Sequence, residues 1–254
     1  MSELLNQVRS EYSKGGLKHI IVGGIEKAIM GMIRKFPSIH HRIASKYFRW
    51  RCSNDVGKYQ CPPDPFKIEY VCPDDIHKRT GRPSPAYLNR RLLFGKVMDG
   101  TWDHGERPIK DSDIYKAVQE HFVKGTPWVE FRSILKRLEN DENDISDICL
   151  KYDKLYYQIQ QNGYKSQQEL LENPQGLNNG LFLHTLDEVT VDIGRNGELL
   201  HVDGIHRLTI AKILGLEKIP IVFLVRHKDW MEFREELCKS DDSIPDHPDL
   251  RDLK

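Results

Sequence analysis

The stretch Glu198–Val225, ELLHVDGIHRLTIAKILGLEKIPIVFLV, decides how the chain is read. Leu199, Leu200 and Val202 have strand character, and Asp203-Gly204 breaks the run. A helix is expected from His206 and Arg207, with Leu208, Ala211, Ile213 and Leu214 on its apolar face and Gly215 as its stop. Ile219–Val225 is almost wholly apolar and predicts a buried strand. Just upstream, Val189, Val191 and Ile193 alternate with Thr190 and Asp192, which predicts another strand. Arg195-Asn196-Gly197-Glu198 between them reads as a hairpin turn, with Asn-Gly at its centre. Pairing centred on that turn puts Glu188 opposite position 205 and Asp192 near His201.

A strand that ends in Asp203-Gly204 and runs into a helix makes an anion site. The first backbone N–H groups of the helix lack partners, and the positive end of its dipole faces the same spot. Gly204 allows close approach to the backbone, and Arg207 can hold phosphate oxygens with two parallel hydrogen bonds. His206 can donate a hydrogen bond or move a proton near neutral pH. Asp203 can orient Arg207 or ligate a phosphate-associated Mg²⁺. Each residue alone has a plain structural reading: a turn Asp, an exposed charge, a surface His. It is their combination that points to phosphate.

These residues resemble the core of the ParB/sulfiredoxin-like superfamily. That core has a strand, a G-x-H-R or G-x-R-R element, a helix ending in Gly and a strand opening with I-P-V. Here these are Gly204-Ile205-His206-Arg207, Gly215 and Ile219-Pro220-Ile221. The D-G-x-H-R form looks closest to the ParB-like free serine kinases, whose D-G-H-H-R element sits at nucleotide phosphates. The likeness extends loosely to Phe66–Ile76, similar to the core's first strand, and to Tyr152–Gly163, similar to the helix before the family's ligand loop. It implies an α+β fold, a mixed sheet with packed helices, and a nucleotide-phosphate site at Asp203, Gly204, Ile205, His206 and Arg207. ATP with Mg²⁺ is the implied cofactor pair. Sulfiredoxins carry a catalytic Cys where this chain has Ile205, which argues against sulfinic-acid reduction. Chromosome-partitioning ParB proteins continue into a helix-turn-helix domain, and too few residues follow Val225 to form one.

Outward from this core, three segments are expected: a basic helical extension at 1–60, the ParB/sulfiredoxin-like nucleotide-binding domain at 63–240, and an acidic polar tail at 241–254. Residues 25–52 carry seven Lys and Arg against Glu26 alone, and their apolar residues recur at helical spacing. Pro37 separates two helices there, whose basic faces are either solvated or a surface for an anionic partner. Residues 53–65 crowd Pro, Gly, Asn and Asp into a linker. Helices are also expected after Ser112, between Trp128 and Leu138, over 148–161 and from Ser166 to Glu172. Leu92–Asp103 predicts a strand with an Asp-Gly turn. Its Asp99-Gly100-Thr101-Trp102-Asp103 offers Asp99 and Asp103 as ligands for a metal or polar group, although an Asp-Gly turn and a core Trp explain it as well.

The chain has 254 residues and a formal net charge of +0, which excludes a uniformly basic nucleic-acid binder. No apolar run approaches the ~20 residues of a membrane-spanning helix. The N-terminus lacks the basic-then-apolar order of a signal peptide. Five cysteines without close spacing read as free thiols in a reducing cytoplasm.

Three functions are weighed. A nucleotide-dependent phosphotransferase would act on a small hydroxylated molecule, with Asp203, His206 and a carboxylate base in its mechanism. Glu188 is the leading base because of its register, and Asp192, Asp99 and Asp103 are the others. A nucleotide-gated binding module would use the triphosphate to switch a surface such as the basic helices. A ParB-like DNA-associated role is opposed by the neutral charge and the missing helix-turn-helix.

Overall fold

The structure is a computed structural model that describes residues 49–82, 93–105, 107–131, 145–172, 187–240 and 243–254. Of the helical stretch expected over 25–52, residues 25–48 lie outside the described residues, as do 83–92 and 132–138. The chain divides into two compact units, 1–49 and 50–254, and the second is the one described below. Cys52 and Val56, placed by the sequence reading in the extension, are buried within this second unit, in a helical stretch at 49–56.

Six strands form one mixed sheet. They are β1 (Ile68–Val71), β2 (Lys78–Arg79), β3 (Lys96–Met98), β4 (Val189–Ile193), β5 (Leu199–Asp203) and β6 (Ile219–His227). The order is β1-β6-β4-β5-β2, and β3 also pairs with β6. β1 and β5 run antiparallel to their neighbours β6 and β4, whereas β2, β3 and β4 pair in parallel with β5, β6 and β6. Helices that accompany the sheet include α1 (Asp113–Lys124), α2 (Ile145–Asn162), α3 (Gln167–Glu172), α4 (Ile205–Ile213) and α5 (Lys228–Lys239). The architecture is α+β, as expected.

The core explains why Ile219–Val225 is apolar throughout. All nine residues of β6 are buried, because both faces of the strand are covered. Ile219, Ile221 and Phe223 pack with Val189, Val191, Leu208 and Ala211. Val222, Leu224 and Val225 face Cys52, Phe66 and Phe94 on the other side. A further cluster joins α1, α2 and α4 through Val118, Tyr152, Tyr156 and Ile210 around Trp128. α2 matters most for the site, because it brings the segment after it against the start of α4.

Local signals set the helix ends. Ser112 accepts a hydrogen bond from the Tyr115 N–H and caps α1, and Gly125 stops it at φ 75°. Ser166 and Glu169 cap α3 reciprocally, each side chain accepting the other's backbone N–H, at 2.7 and 3.2 Å. Gly163 follows α2 at φ 72°. The expected strand over Leu92–Asp103 shortens to β3, because the positive φ of Gly100 and a 3-10 turn at Trp102–His104 follow it.

Two expectations are corrected. Residues 248–253 are no solvated tail, since Leu250 is fully buried and Asp249 is 4 % exposed. Asp249 meets Arg226 at 2.6 Å and accepts from the Trp230 indole at 2.9 Å. The acidic residues of that segment are there to answer cations that the rest of the chain buries. Nor are all five cysteines free. Cys61 and Cys238 form a disulfide that ties the linker to the end of α5, and Cys52, Cys72 and Cys149 remain thiols. The inference of a reducing compartment from five free thiols loses its footing. Among the described residues, no helix is long and apolar enough to cross a membrane.

Candidate functional site

The site is built at the C-terminal end of β5. Gly204 takes φ 82° and ψ 29° and caps α4 without any side-chain hydrogen bond. Only glycine holds this backbone cheaply, and a Cβ here would lie 3.1 Å from the Val189 Cα. The turn therefore fits against β4, and the first amides of α4 stay unobstructed by a capping side chain.

Thr190 pairs with Asp203, the register expected from the hairpin, so Glu188 sits level with the start of α4. Farther along, a bulge between Thr190 and Val191 shifts the pairing and sets Asp192 against Leu200 rather than His201. Asp192 is sealed in the core. Arg82 donates to both its oxygens at 2.8 Å, and the Val225 N–H donates at 3.1 Å, so it holds the fold together and faces no ligand space.

Glu188 and Arg207 meet, with Oε2 3.6 Å from Nη1. Glu188 is 1 % exposed, and its Oε1 accepts from the Gln167 N–H, which the capped start of α3 holds in place. Burial pushes the carboxyl up to about 7, against the opposing pull of that N–H and of Arg207. Tyr164 leans on both groups, and burial raises its phenol above the ordinary value. Glu188 Oε2, Arg207 Nη1 and the Tyr164 hydroxyl are all buried, and none makes a hydrogen bond. Unsatisfied buried polar atoms are costly, and these three lie together. Arg207 also reaches the turn, since its Nη2 is 3.6 Å from where a Gly204 Cβ would stand. One guanidinium thus spans the anion site and the buried carboxyl.

A cavity of about 260 Å³ opens beside Arg207, between the C-terminal half of α2 and α3. Leu155, Ile159 and Leu170 make its apolar side, and Gln158, Asn162, Lys165 and Gln167 its polar rim. His206 points to α2 as well, with Nε2 2.8 Å from the Tyr152 hydroxyl.

On the other side of the turn lies a cationic set that sequence reasoning missed. Arg79 of β2 is paired in register with His201, two residues before Asp203. Burial and the neighbouring Arg107 both disfavour its charge, and Asp113 offsets them in part. Its Nε is buried without a partner, as is His201 Nε2. Burial, with Arg79 adding to it, pushes the His201 imidazole down to about 3, so the ring stays neutral at physiological pH. The only hint in sequence was the run His77-Lys78-Arg79 in a loop rich in Pro and Gly.

The structure does not bring every candidate together. Ile205 is a packing residue, half-buried against the core. Asp103 receives two hydrogen bonds from the Arg195 side chain, at 2.7 and 2.8 Å, and one from its backbone N–H, which holds its carboxyl well below the usual range. Arg195 is in the hairpin turn, at the opposite end of β5 from Gly204, so Asp103 braces that turn. Asp99 is exposed and accepts from the Gly100 N–H at 2.7 Å. Trp102 packs on His227 and under Arg82. Among the described residues, no group of three His, Cys, Asp or Glu side chains could hold a metal ion. Asp203 is the one carboxylate in the turn itself, and a Mg²⁺ carried by phosphates needs only one or two protein carboxylates. Comparison of the chain with family models, with curated proteins and with solved structures returns no match.

Proposed function

We propose that this chain binds a nucleoside triphosphate, ATP, through the Asp203–Arg207 turn, in the manner of the ParB/sulfiredoxin-like superfamily, and transfers its terminal phosphoryl group to a small hydroxylated molecule. The observation that carries the reading is the convergence on one turn of unopposed donors and cations. The first amides of α4, the orphaned Nε of Arg79 and the second cation Arg107 flank one face. Arg207 lies on the other. An anion there offsets the repulsion between Arg79 and Arg107 and satisfies donors that water cannot reach.

Glu188 suits the role of base. A carboxyl that titrates near 7 is half ionised at working pH and can take a proton without holding it too tightly. In the transfer, the acceptor O–H gives its proton to Glu188 and its oxygen forms a bond to the terminal phosphorus. The bond from that phosphorus to the bridging oxygen breaks, and the nucleoside diphosphate leaves with the electron pair. Glu188 then returns the proton to solvent. Arg207 positions both partners, because it touches the turn and the carboxyl.

The test is calorimetric titration of the purified chain with ATP, ADP, CTP and GTP, with and without Mg²⁺. Arg207→Ala should weaken ATP binding roughly ten- to a hundredfold, the loss of one charge-assisted phosphate contact. His206→Ala should act in the same direction. A folded Arg207→Ala protein with unchanged ATP affinity would remove the turn from the binding site.

A further inference from the structure

We infer that the cavity between α2 and α3 is a pocket for a polyhydroxylated molecule of about monosaccharide size, one hydroxyl of which sits among Tyr164, Arg207 and Glu188. The argument begins with the three orphaned atoms. Tyr164 and Arg207 Nη1 are donors in need of an acceptor, and Glu188 Oε2 is an acceptor in need of a donor. A single hydroxyl has two lone pairs and one proton, which answers all three at once. A carboxylate or phosphate placed there would set a second anion against Glu188 and offer it no proton. An apolar group would leave all three unpaired, at the full desolvation cost.

The space behind supports the same class. The cavity of about 260 Å³ opens to solvent and has room for a ligand several times the roughly 30 Å³ of one water. That volume lies just under the roughly 300 Å³ at which drug-sized pockets begin. The rim carries the amides of Gln158, Asn162 and Gln167. A primary amide both donates and accepts, so it pairs with hydroxyls in either sense. Leu155, Ile159 and Leu170 also line the cavity and suit the C–H groups of a ring or chain. Hydroxyls together with C–H groups describe a polyol better than an organic acid or a nucleobase.

The inference deepens the phosphotransfer reading, because the hydroxyl at Glu188 is then the one that accepts the phosphoryl group, once one of its two donors lets go and frees a lone pair for the bond to phosphorus. Binding of the polyol is nonetheless a separate claim. It is tested on the full chain without nucleotide, by saturation-transfer NMR and calorimetry with glycerol, D-ribose, D-glucose and myo-inositol. At least one of the four should bind. Tyr164→Phe, which removes one oxygen and keeps the ring, should weaken that binding about five- to tenfold. Leu170→Trp, which fills the cavity, should abolish it and keep wild-type ATP affinity. If none of the four binds, or if one binds Tyr164→Phe and Leu170→Trp as well as it binds the wild type, the pocket assignment is wrong. Polyol binding without ATP binding would overturn phosphotransfer and leave the pocket, and ATP binding without polyol binding would do the reverse.

Discussion

Asp249→Ala should lower the free energy of unfolding by about 3–5 kcal/mol, the cost of leaving a buried cation without its partner. Arg226 is 1 % exposed, and its guanidinium is held at 2.6 Å by Asp249. The same carboxylate accepts from Trp230 at 2.9 Å, and the Asp249 carbonyl accepts from the Arg234 side chain. Truncation strands one charge and loosens a second. The neighbouring carboxylates are already engaged, Asp252 by Arg234 at 2.9 Å and Glu69 by Arg251 at 2.9 Å. Urea denaturation should show a lower midpoint, and the melting temperature should fall by on the order of 10 °C. A loss under about 1 kcal/mol would mean that water reaches Arg226 and that the C-terminal turn is not the clasp described above.

The second large effect is a pair of opposed pH slopes. The His201 imidazole is held down to about 3, below its ordinary 6.5. The unfolded chain therefore takes up a proton that the native state refuses, and stability is complete above pH 6.5 and lost as pH falls. Glu188 is held up to about 7, above its ordinary 4.5, so the native state keeps a proton that the unfolded chain releases. Its contribution is complete below pH 4.5 and is lost as pH rises towards 7. Each slope is about 1.4 kcal/mol per pH unit, with opposite sign. Between pH 4.5 and 6.5 the two cancel, and the wild type should change little through these groups. His201→Gln should grow more stable as pH falls through that window, and Glu188→Gln less stable. Glu188→Gln should also exceed the wild type in stability at pH 8, since it removes an ionised group from a buried place. Urea midpoints measured from pH 4.5 to 8 decide the matter, and parallel curves for all three proteins would contradict the burial of both groups.

Much of the site's skeleton was legible in the chain because its signals are local. Asn196-Gly197 specifies a tight hairpin, period-2 alternation marks β4, and the hairpin's centre gives the register that sets Glu188 beside the start of α4. Gly204 before His206-Arg207 announces a left-handed turn into a helix, and φ 82° is what the structure has. Ser112, Gly125, Ser166 and Gly163 bound their helices for the same reason: a cap or a positive φ is a property of a few neighbouring residues. Ile219–Val225 announced its central place by being apolar enough to be covered on both faces, whereas the extension of β6 through Arg226 and His227 came from the structure.

Tertiary structure alone decided which distant groups meet, since spacing along a chain carries no information about them. Cys61 and Cys238 are 177 residues apart in sequence and become neighbours only when α5 returns to the linker. Asp249 reads as one more acid in a polar run until Arg226 and Trp230 close around it. Asp99-Gly100-Thr101-Trp102-Asp103 looked like a ligand set, but packing gives Asp103 to Arg195 and leaves Asp99 in solvent. Tyr164 follows the helix stop at Asn162-Gly163 and carries no signal of its own. It becomes part of the site because α2 packs on α4 and delivers it, with the capped start of α3, to Glu188 and Arg207. The residues before and after a turn are written locally, whereas the partners that tune a buried charge are chosen by packing, where a low dielectric makes each new neighbour count.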